Sequence, residues 1–253
     1  VANLRDMTGA GMMDCKKALV DAEGNIDKAV ELLRERGVAK AAKKESRIAA
    51  EGAVGAYVNG DVGVLLEINC ESDFVSKGDK FQNIVNTIAK VIAEQKPKDI
   101  EALNSCSVEG KTVKEYITEQ TVVIGEKLSI RRFECYQTKG KIETYIHMGG
   151  KVGVMVEAYP YNSGEDILHD VALQIAAAKP SYITKDDVPS DVIEKEKEIL
   201  LVQMQNDEKN ANKPREILEK IVTGKIGKYY TENCLMDQPF VKDDSMTISK
   251  LIG

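Results

Sequence analysis

The sequence predicts an α+β protein, with antiparallel sheets that carry helices on one face. Three observations carry this. Val64, Leu66, Ile68 and Cys70 alternate with Leu65, Glu67 and Asn69, the period-2 pattern of a strand. Phe81, Ile84, Val85, Ile88, Val91 and Ile92 recur at helical spacing. The strand-then-helix order also occurs twice: Gly63-Val64-Leu65-Leu66-Glu67 returns 90 positions later as Gly153-Val154-Met155-Val156-Glu157.

From the N-terminus to Gly37 the pattern is helical. Asn3 to Met7 form a short segment before Thr8-Gly9. Met12, Cys15, Leu19 and Ala22 follow at helical spacing, until Glu23-Gly24-Asn25 breaks the run. Asn25 is placed to cap a third helix with Ile26, Ala29, Val30 and Leu33 on one face, and Gly37 to stop it. This makes a small three-helix unit with few apolar residues. Gly9-Ala10-Gly11, followed by Lys16-Lys17, misses the spacing of a phosphate loop and follows no strand, so it reads as a tight turn between helices. Of Met12 and Met13, the spacing turns one inward and one outward; alternatively both fill the join between helices. Residues 34 to 47 hold six basic side chains (Arg34, Arg36, Lys40, Lys43, Lys44, Arg47) against Glu35 and Glu45. They read as a solvated helical linker or as a contact for an acidic surface.

Asn59-Gly60 marks a hairpin turn. Each repeat copy opens with a Tyr strand and a Gly-containing turn, Tyr57 to Asp61 and Tyr145 to Lys151. Each closes with an amphipathic helix ending in Lys-Pro, Lys96-Pro97 and Lys179-Pro180. Gly149-Gly150 fits a turn. The first copy is seven residues longer, and the surplus is expected in or near Glu71 to Gly78, between strand and helix. What one copy adds to a shared scaffold is a candidate for function. Beyond Pro180, Val192, Ile193, Ile199, Leu200 and Met204 make one narrow apolar stripe, and Ile217, Leu218, Ile221, Val222 and Ile226 another. Asn206 to Lys213 is a polar turn between them, and Pro214 suits the first turn of the second helix. The pair reads as a protruding helical hairpin. The tail from Phe240-Val241 to Leu251 is expected to rejoin the second copy.

Composition narrows the function. The 253 residues carry 35 Lys and Arg against 41 Asp and Glu, a formal charge of −6, which argues against general nucleic-acid binding. There is no Trp, and His147 and His169 are the two histidines, too few for a His-rich metal site. The five cysteines, Cys15, Cys70, Cys106, Cys135 and Cys234, are scattered and odd in number, as expected of thiols in a reducing compartment. No apolar run approaches the roughly 18 residues of a membrane span. No signal peptide is evident, and the start at Val1 without Met suggests that a short leading piece is missing.

No Ser or Cys nucleophile signature and no cluster with metal-ligand spacing emerges. His147, at a strand end, reads as structural or exposed. Asp73-Phe74 stands out. Phe is scarce, with four in the chain, and this one follows a strand among polar residues. An aromatic on an exposed loop can wedge into a partner; alternatively Phe74 folds back beside Phe81.

Thr8-Gly9-Ala10-Gly11-Met12-Met13-Asp14-Cys15-Lys16-Lys17-Ala18-Leu19 resembles the opening signature of the elongation factor Ts family. Glu71-Ser72-Asp73-Phe74-Val75 is similar to that family's central Thr-Asp-Phe-Val motif, with Ser72 in the Thr place. Ile124-Gly125-Glu126 to Ile130-Arg131-Arg132, Ile146-His147 to Gly153-Val154, and Gln238-Pro239-Phe240-Val241 match in the same order. The resemblance implies a three-helix domain similar to ubiquitin-associated domains plus a basic linker over 1–47. It also implies a core subdomain over 48–133, a second over 134–183 and 229–253, and a hairpin over 184–228 that serves as a coiled coil or dimerisation arm. Family chains begin a few residues earlier, and many continue past Gly253.

The resemblance also implies a guanine nucleotide exchange factor that binds elongation factor Tu, in its GDP-bound and nucleotide-free forms, without cofactor or covalent chemistry. Phe74 would wedge between helices of the partner's nucleotide domain, and Asp73 would disturb the groups that hold Mg²⁺ and phosphate. Arg5, Met12, Met13, Lys16 and Lys44 would touch that domain from the N-terminal side. Ile124, Gly125 and His147 match further contacts on the core, and Val241 a contact to the partner's far domain. Neither a membrane nor direct nucleic-acid contact is expected. The hairpin could pair two copies or rest against the partner. The expected location is the bacterial cytoplasm, with an organelle matrix as the alternative. The competing reading is a non-catalytic RNA- or ribosome-associated adaptor that uses the basic stretch.

Overall fold

Helices and antiparallel strands share this chain because its apolar residues change period between segments, 3.6 in some and 2 in others. The computed structural model describes residues 1–162, 164, 166–207, 209–210 and 213–253. They form two units, Val1–Tyr161 and Asn162–Gly253.

The first unit opens with α1 (Ala2–Thr8), α2 (Met12–Asp21) and α3 (Ile26–Ala42). Leu4, Cys15, Ala18, Ala22 and Ala29 form their shared core. Gly9 ends α1 in the left-handed region, its N–H donating to the Arg5 carbonyl, and Gly11 caps α2 from extended backbone. The Asn25 side chain accepts from the Lys28 N–H at 3.0 Å and so starts α3, as its sequence position predicts. Two expectations are corrected. Gly37 does not stop α3, which runs on to Ala42. An interior glycine costs only about 1 kcal/mol, and Ala39, Lys40, Ala41 and Ala42 beyond it are strong helix formers. Nor does either methionine turn inward: Met12 is 59 % and Met13 64 % exposed. The inner face of α2 carries Cys15 and Ala18 instead. Side chains this small hold the helices close and leave long ones outside.

Strands β1 (Glu51–Asn59) and β2 (Val62–Cys70) follow, then α4 (Asp73–Ser76), α5 (Asp79–Gln95) and α6 (Ile100–Ser105). Next come β3 (Ser107–Val108), β4 (Lys111–Thr112), α7 (Val113–Ile124), β5 (Ser129–Gln137), β6 (Lys141–His147) and β7 (Val152–Ala158). β2 is the middle strand of an antiparallel β1-β2-β5 sheet. The β1–β2 turn lies one residue later than Asn59-Gly60 suggests. Asn59 stays paired with Val62, and Gly60, at φ 60°, is the first of the two turn residues. Val62, Val64, Leu66, Ile68 and Cys70 are all buried, and α5 packs against this sheet with Phe81, Ile84, Val85, Ile88, Val91 and Ile92. Each such side chain contributes about 1.5–3 kcal/mol of burial.

The repeat is visible in strand register. Tyr57 faces Val64 across β1–β2, and Tyr145 faces Val154 across β6–β7. The two hairpins contact each other, with the Val54 N–H donating to the Gly150 carbonyl at 2.8 Å. The repeat-related glycines make the closest approach. A Cβ on Gly63 would sit 2.5 Å from Ile142 Cγ2, and one on Gly153 2.4 Å from Val54 Cγ1. Each glycine therefore yields space to a side chain of the other copy.

The surplus of the first copy does not lie where the sequence suggests. Eight residues join β2 to α5, and eight join β7 to the helix that follows it. The extra length is two residues of strand after Glu67 and five residues of helix, since α5 has 17 residues and its counterpart 12. A strand or helix can lengthen along its own axis while the loop that links them stays constant.

The second unit holds α8 (Ile167–Ala178), a 3₁₀ turn at Lys185–Asp187, α9 (Ser190–Asn206), α10 (Arg215–Asn233) and a 3₁₀ turn at Leu235–Asp237. β8 (Pro239–Phe240), β9 (Asp243–Thr247) and α11 (Ile248–Ile252) complete it. α9 and α10 form a hairpin packed through Met204, Leu218 and Val222. Of the polar turn expected at Asn206–Lys213, Glu208, Ala211 and Asn212 lie outside the described residues. Gln174 is buried and fully used: its Nε2 donates to Gln238 Oε1 and the Pro239 carbonyl, and its Oε1 accepts from the Val241 N–H.

Candidate functional site

Asp73 and Phe74 open α4, a single helical turn between β2 and α5. Ser72 caps it, its Oγ accepting from the Val75 N–H at 3.3 Å. Val75 packs against the sheet core, and Ser76 is buried and donates from Oγ to the Asp73 carbonyl at 2.9 Å. Gln82 Nε2 donates to the Ser76 carbonyl at 2.7 Å. With these two side chains facing in, Asp73, Phe74 and Lys77 face out. Phe74 is 85 % exposed, the most of any large apolar side chain among the described residues. The alternative in which it folds back beside Phe81 is therefore excluded; Phe81 is fully buried by itself. An exposed aromatic forgoes the burial its size would bring, which makes Phe74 a candidate contact residue.

Asp73 Oδ2 accepts from Lys77 Nζ at 2.7 Å. This bond, the Lys77 charge and the more distant Lys151 hold its carboxyl below the ordinary aspartate range. Lys151 is the last residue of the β6–β7 turn and donates to Glu51 Oε2 at 2.6 Å. That turn also presents His147, which is exposed, with its Nδ1 2.9 Å from the Tyr145 hydroxyl. Beneath α4, the Cys70 thiol is pushed up to about 11 by burial and by the Glu126 charge, so it is no nucleophile at neutral pH.

The segment after α7 braces this turn. Glu126 Oε2 accepts from the Glu71 and Ser72 N–H groups, each at 3.0 Å, and Glu126 Oε1 accepts from Ser72 Oγ at 2.6 Å. In return Glu71 Oε1 accepts from the Lys127 N–H at 2.7 Å. That bond and the Arg47 charge hold the Glu71 carboxyl low. Lys127 Nζ donates to the Glu45 and Arg47 carbonyls, and Lys44 Nζ to the Gly125 carbonyl. Two residues that the resemblance assigns to a partner, Lys44 and Gly125, thus bond to each other. Ile124, one residue before Gly125, is half-buried against the sheet core. The brace itself is not legible in the sequence: Glu126 falls in a stretch that resembles the family, but it lies 54 positions from Ser72 and nothing local pairs the two.

Arg5, Met12, Met13 and Lys16 are exposed on the three-helix unit. Val241 is exposed in the second unit, held through its N–H by Gln174. The basic stretch is largely paired within the chain. Arg34 meets Glu115, Arg36 meets Asp21, Lys40 meets Asp14 and Arg47 meets Glu71. Among the described residues, no group of three His, Cys, Asp or Glu could hold a metal ion, and no helix is long and apolar enough to cross a membrane.

Comparison with known proteins gives a consistent result. The family model described as Elongation factor TS matches residues 71–253. The chain is 46 % identical to an elongation factor Ts of Halothermothrix orenii over 259 aligned positions, covering all of this chain and 85 % of that protein. It is 45 % identical to those of Syntrophotalea carbinolica and Clostridium perfringens, again over its whole length and 84 % of each. With the family motif at Ser72 to Val75 folded into an exposed, braced turn and this likeness spanning every residue, the chain belongs to the elongation factor Ts family of translation elongation factors.

Proposed function

We propose that the protein is a guanine nucleotide exchange factor that binds elongation factor Tu and promotes GDP release. The observation that carries this is Phe74, exposed at the tip of a turn whose two inward side chains are anchored. Phe74 enters between helices of the partner's nucleotide domain, and the Asp73 carboxylate, ionised at any physiological pH, disturbs the groups around Mg²⁺ and phosphate. The thermodynamics is linkage. A factor that prefers the GDP-free arrangement must weaken nucleotide binding by the same factor. No covalent bond changes, so no nucleophile, general base or resident metal is required.

Met12, Met13, Arg5 and Lys16 supply a second contact from the three-helix unit. Exposed methionines suit it, because they repack at little cost. Val241 supplies a third from the other unit, and the α9–α10 hairpin is free to pair with a second copy or to lie along the partner. The site of action is the cytoplasm. The internal pairing of Arg34, Arg36, Lys40 and Arg47 speaks against an RNA-binding adaptor, since charges already neutralised release few counterions from a nucleic acid.

The test is release of fluorescent GDP from elongation factor Tu, followed by stopped flow. The protein accelerates release, and Phe74→Ala lowers the stimulated rate by about tenfold or more, as expected for a central aromatic anchor. Unchanged release with Phe74→Ala would exclude the wedge.

A further inference from the structure

We propose that Glu126 is a positioning residue for exchange, acting through Phe74. The inference rests on the exchange-factor reading and adds to it a residue that never touches the partner's nucleotide. A four-residue helix such as α4 cannot hold its own geometry, because so short a helix makes too few internal hydrogen bonds to offset its ordering entropy. Its direction must be set from outside. Glu126 does this at the N-terminal side, its one carboxylate accepting three hydrogen bonds, from the Glu71 N–H, the Ser72 N–H and the Ser72 hydroxyl. Bonds to an ionised acceptor are about twice as strong as neutral ones.

The Ser72 hydroxyl lies in the middle of the chain of bonds. It donates to Glu126 and accepts from the Val75 N–H, so the carboxylate orients the cap itself. Glu126 is aimed by its own setting, one residue beyond Gly125, which ends α7 in the left-handed region at φ 86°. A wedge fixed before contact loses less entropy on insertion than one that must be ordered by the partner. Glu126 therefore raises the rate of exchange without contributing to the contact surface.

The experiment is a double-mutant cycle of Glu126→Gln and Phe74→Ala in the full chain. It reads stimulated GDP release at saturating factor, affinity for elongation factor Tu, and the thermal midpoint of each variant. Glu126→Gln is expected to slow saturated release about tenfold, while affinity changes by about twofold or less. On the Phe74→Ala background it should cause no further slowing. Equal slowing on both backgrounds, or none on either, overturns the role of Glu126. If Glu126→Gln lowers the midpoint enough to unfold the chain, Ser72→Ala removes the middle of the same bond chain and is judged by the same outcomes. A wild-type protein that fails to accelerate release overturns the exchange reading itself, and with it this proposal; the two failures are thus distinguishable.

Discussion

Phe74 and Glu71 show how neighbouring residues come to different uses. Phe74 was legible as a candidate because aromatics are scarce and its neighbours are polar. Its exposure was not legible, since a phenylalanine seven residues before Phe81 could equally have joined that core. The inward anchoring of Val75 and Ser76 settles the direction. Glu71 works inside the protein, tying the turn to Lys127 and Arg47. Its folded carboxyl lies below the ordinary 4.5, so its contribution to stability is complete above that value and is lost as pH falls through the folded value. Glu71→Gln is thus expected to lower the urea midpoint by a constant amount from about pH 8 down to about pH 5, and by less at lower pH. Paired urea titrations of both proteins across that range check this. A gap that widens on acidification would show that the carboxylate is not what stabilises the turn.

Among the elements, the two helices that close the repeat copies end where the sequence predicts. Lys96-Pro97 and Lys179-Pro180 look alike in sequence and end their helices alike, each lysine at φ 48° and ψ 54°. The left-handed region suits glycine and strains a lysine by about 1–2 kcal/mol. Lys179→Gly is expected to raise stability by about 0.5–1 kcal/mol after the extra freedom that glycine gives the unfolded chain, measured by equilibrium urea unfolding. A loss of stability would mean that the lysine stem packs against its unit enough to outweigh the strain. Gly37 shows the opposite case. A glycine is a helix stop only if the residues beyond it favour another conformation, and Val38 to Ala42 do not. Gly60 marks the β1–β2 turn in the sequence, but the turn sits one position later than Asn59-Gly60 suggests, because Asn59 retains its strand pairing with Val62.

For the molecule as a whole, the repeat carries the most information. Gly63 and Gly153 recur at matching places, and in the fold each receives a side chain from the other hairpin. Gly153→Ala would put a methyl group 2.4 Å from Val54 Cγ1 and 3.1 Å from Leu65 Cδ1, so something must shift. The expected cost is about 1–3 kcal/mol, visible as a lower midpoint in calorimetry.

The sequence by itself determined the fold class, the three N-terminal helices, the repeated hairpins and the helical pair after Pro180, and it singled out Asp73-Phe74 as a candidate. Those features depend on spacing along the chain and on motifs a few residues long. The tertiary structure alone decided that both methionines face out, that Phe74 stands clear of the core, and that Glu126 reaches back to Ser72. It also decided that the longer copy spends its surplus in strand and helix, leaving the connecting loop unchanged. These depend on which surfaces meet. A carboxylate 54 positions from the hydroxyl it holds leaves no periodic trace in the sequence, because distance along the chain and distance in space are set by different forces.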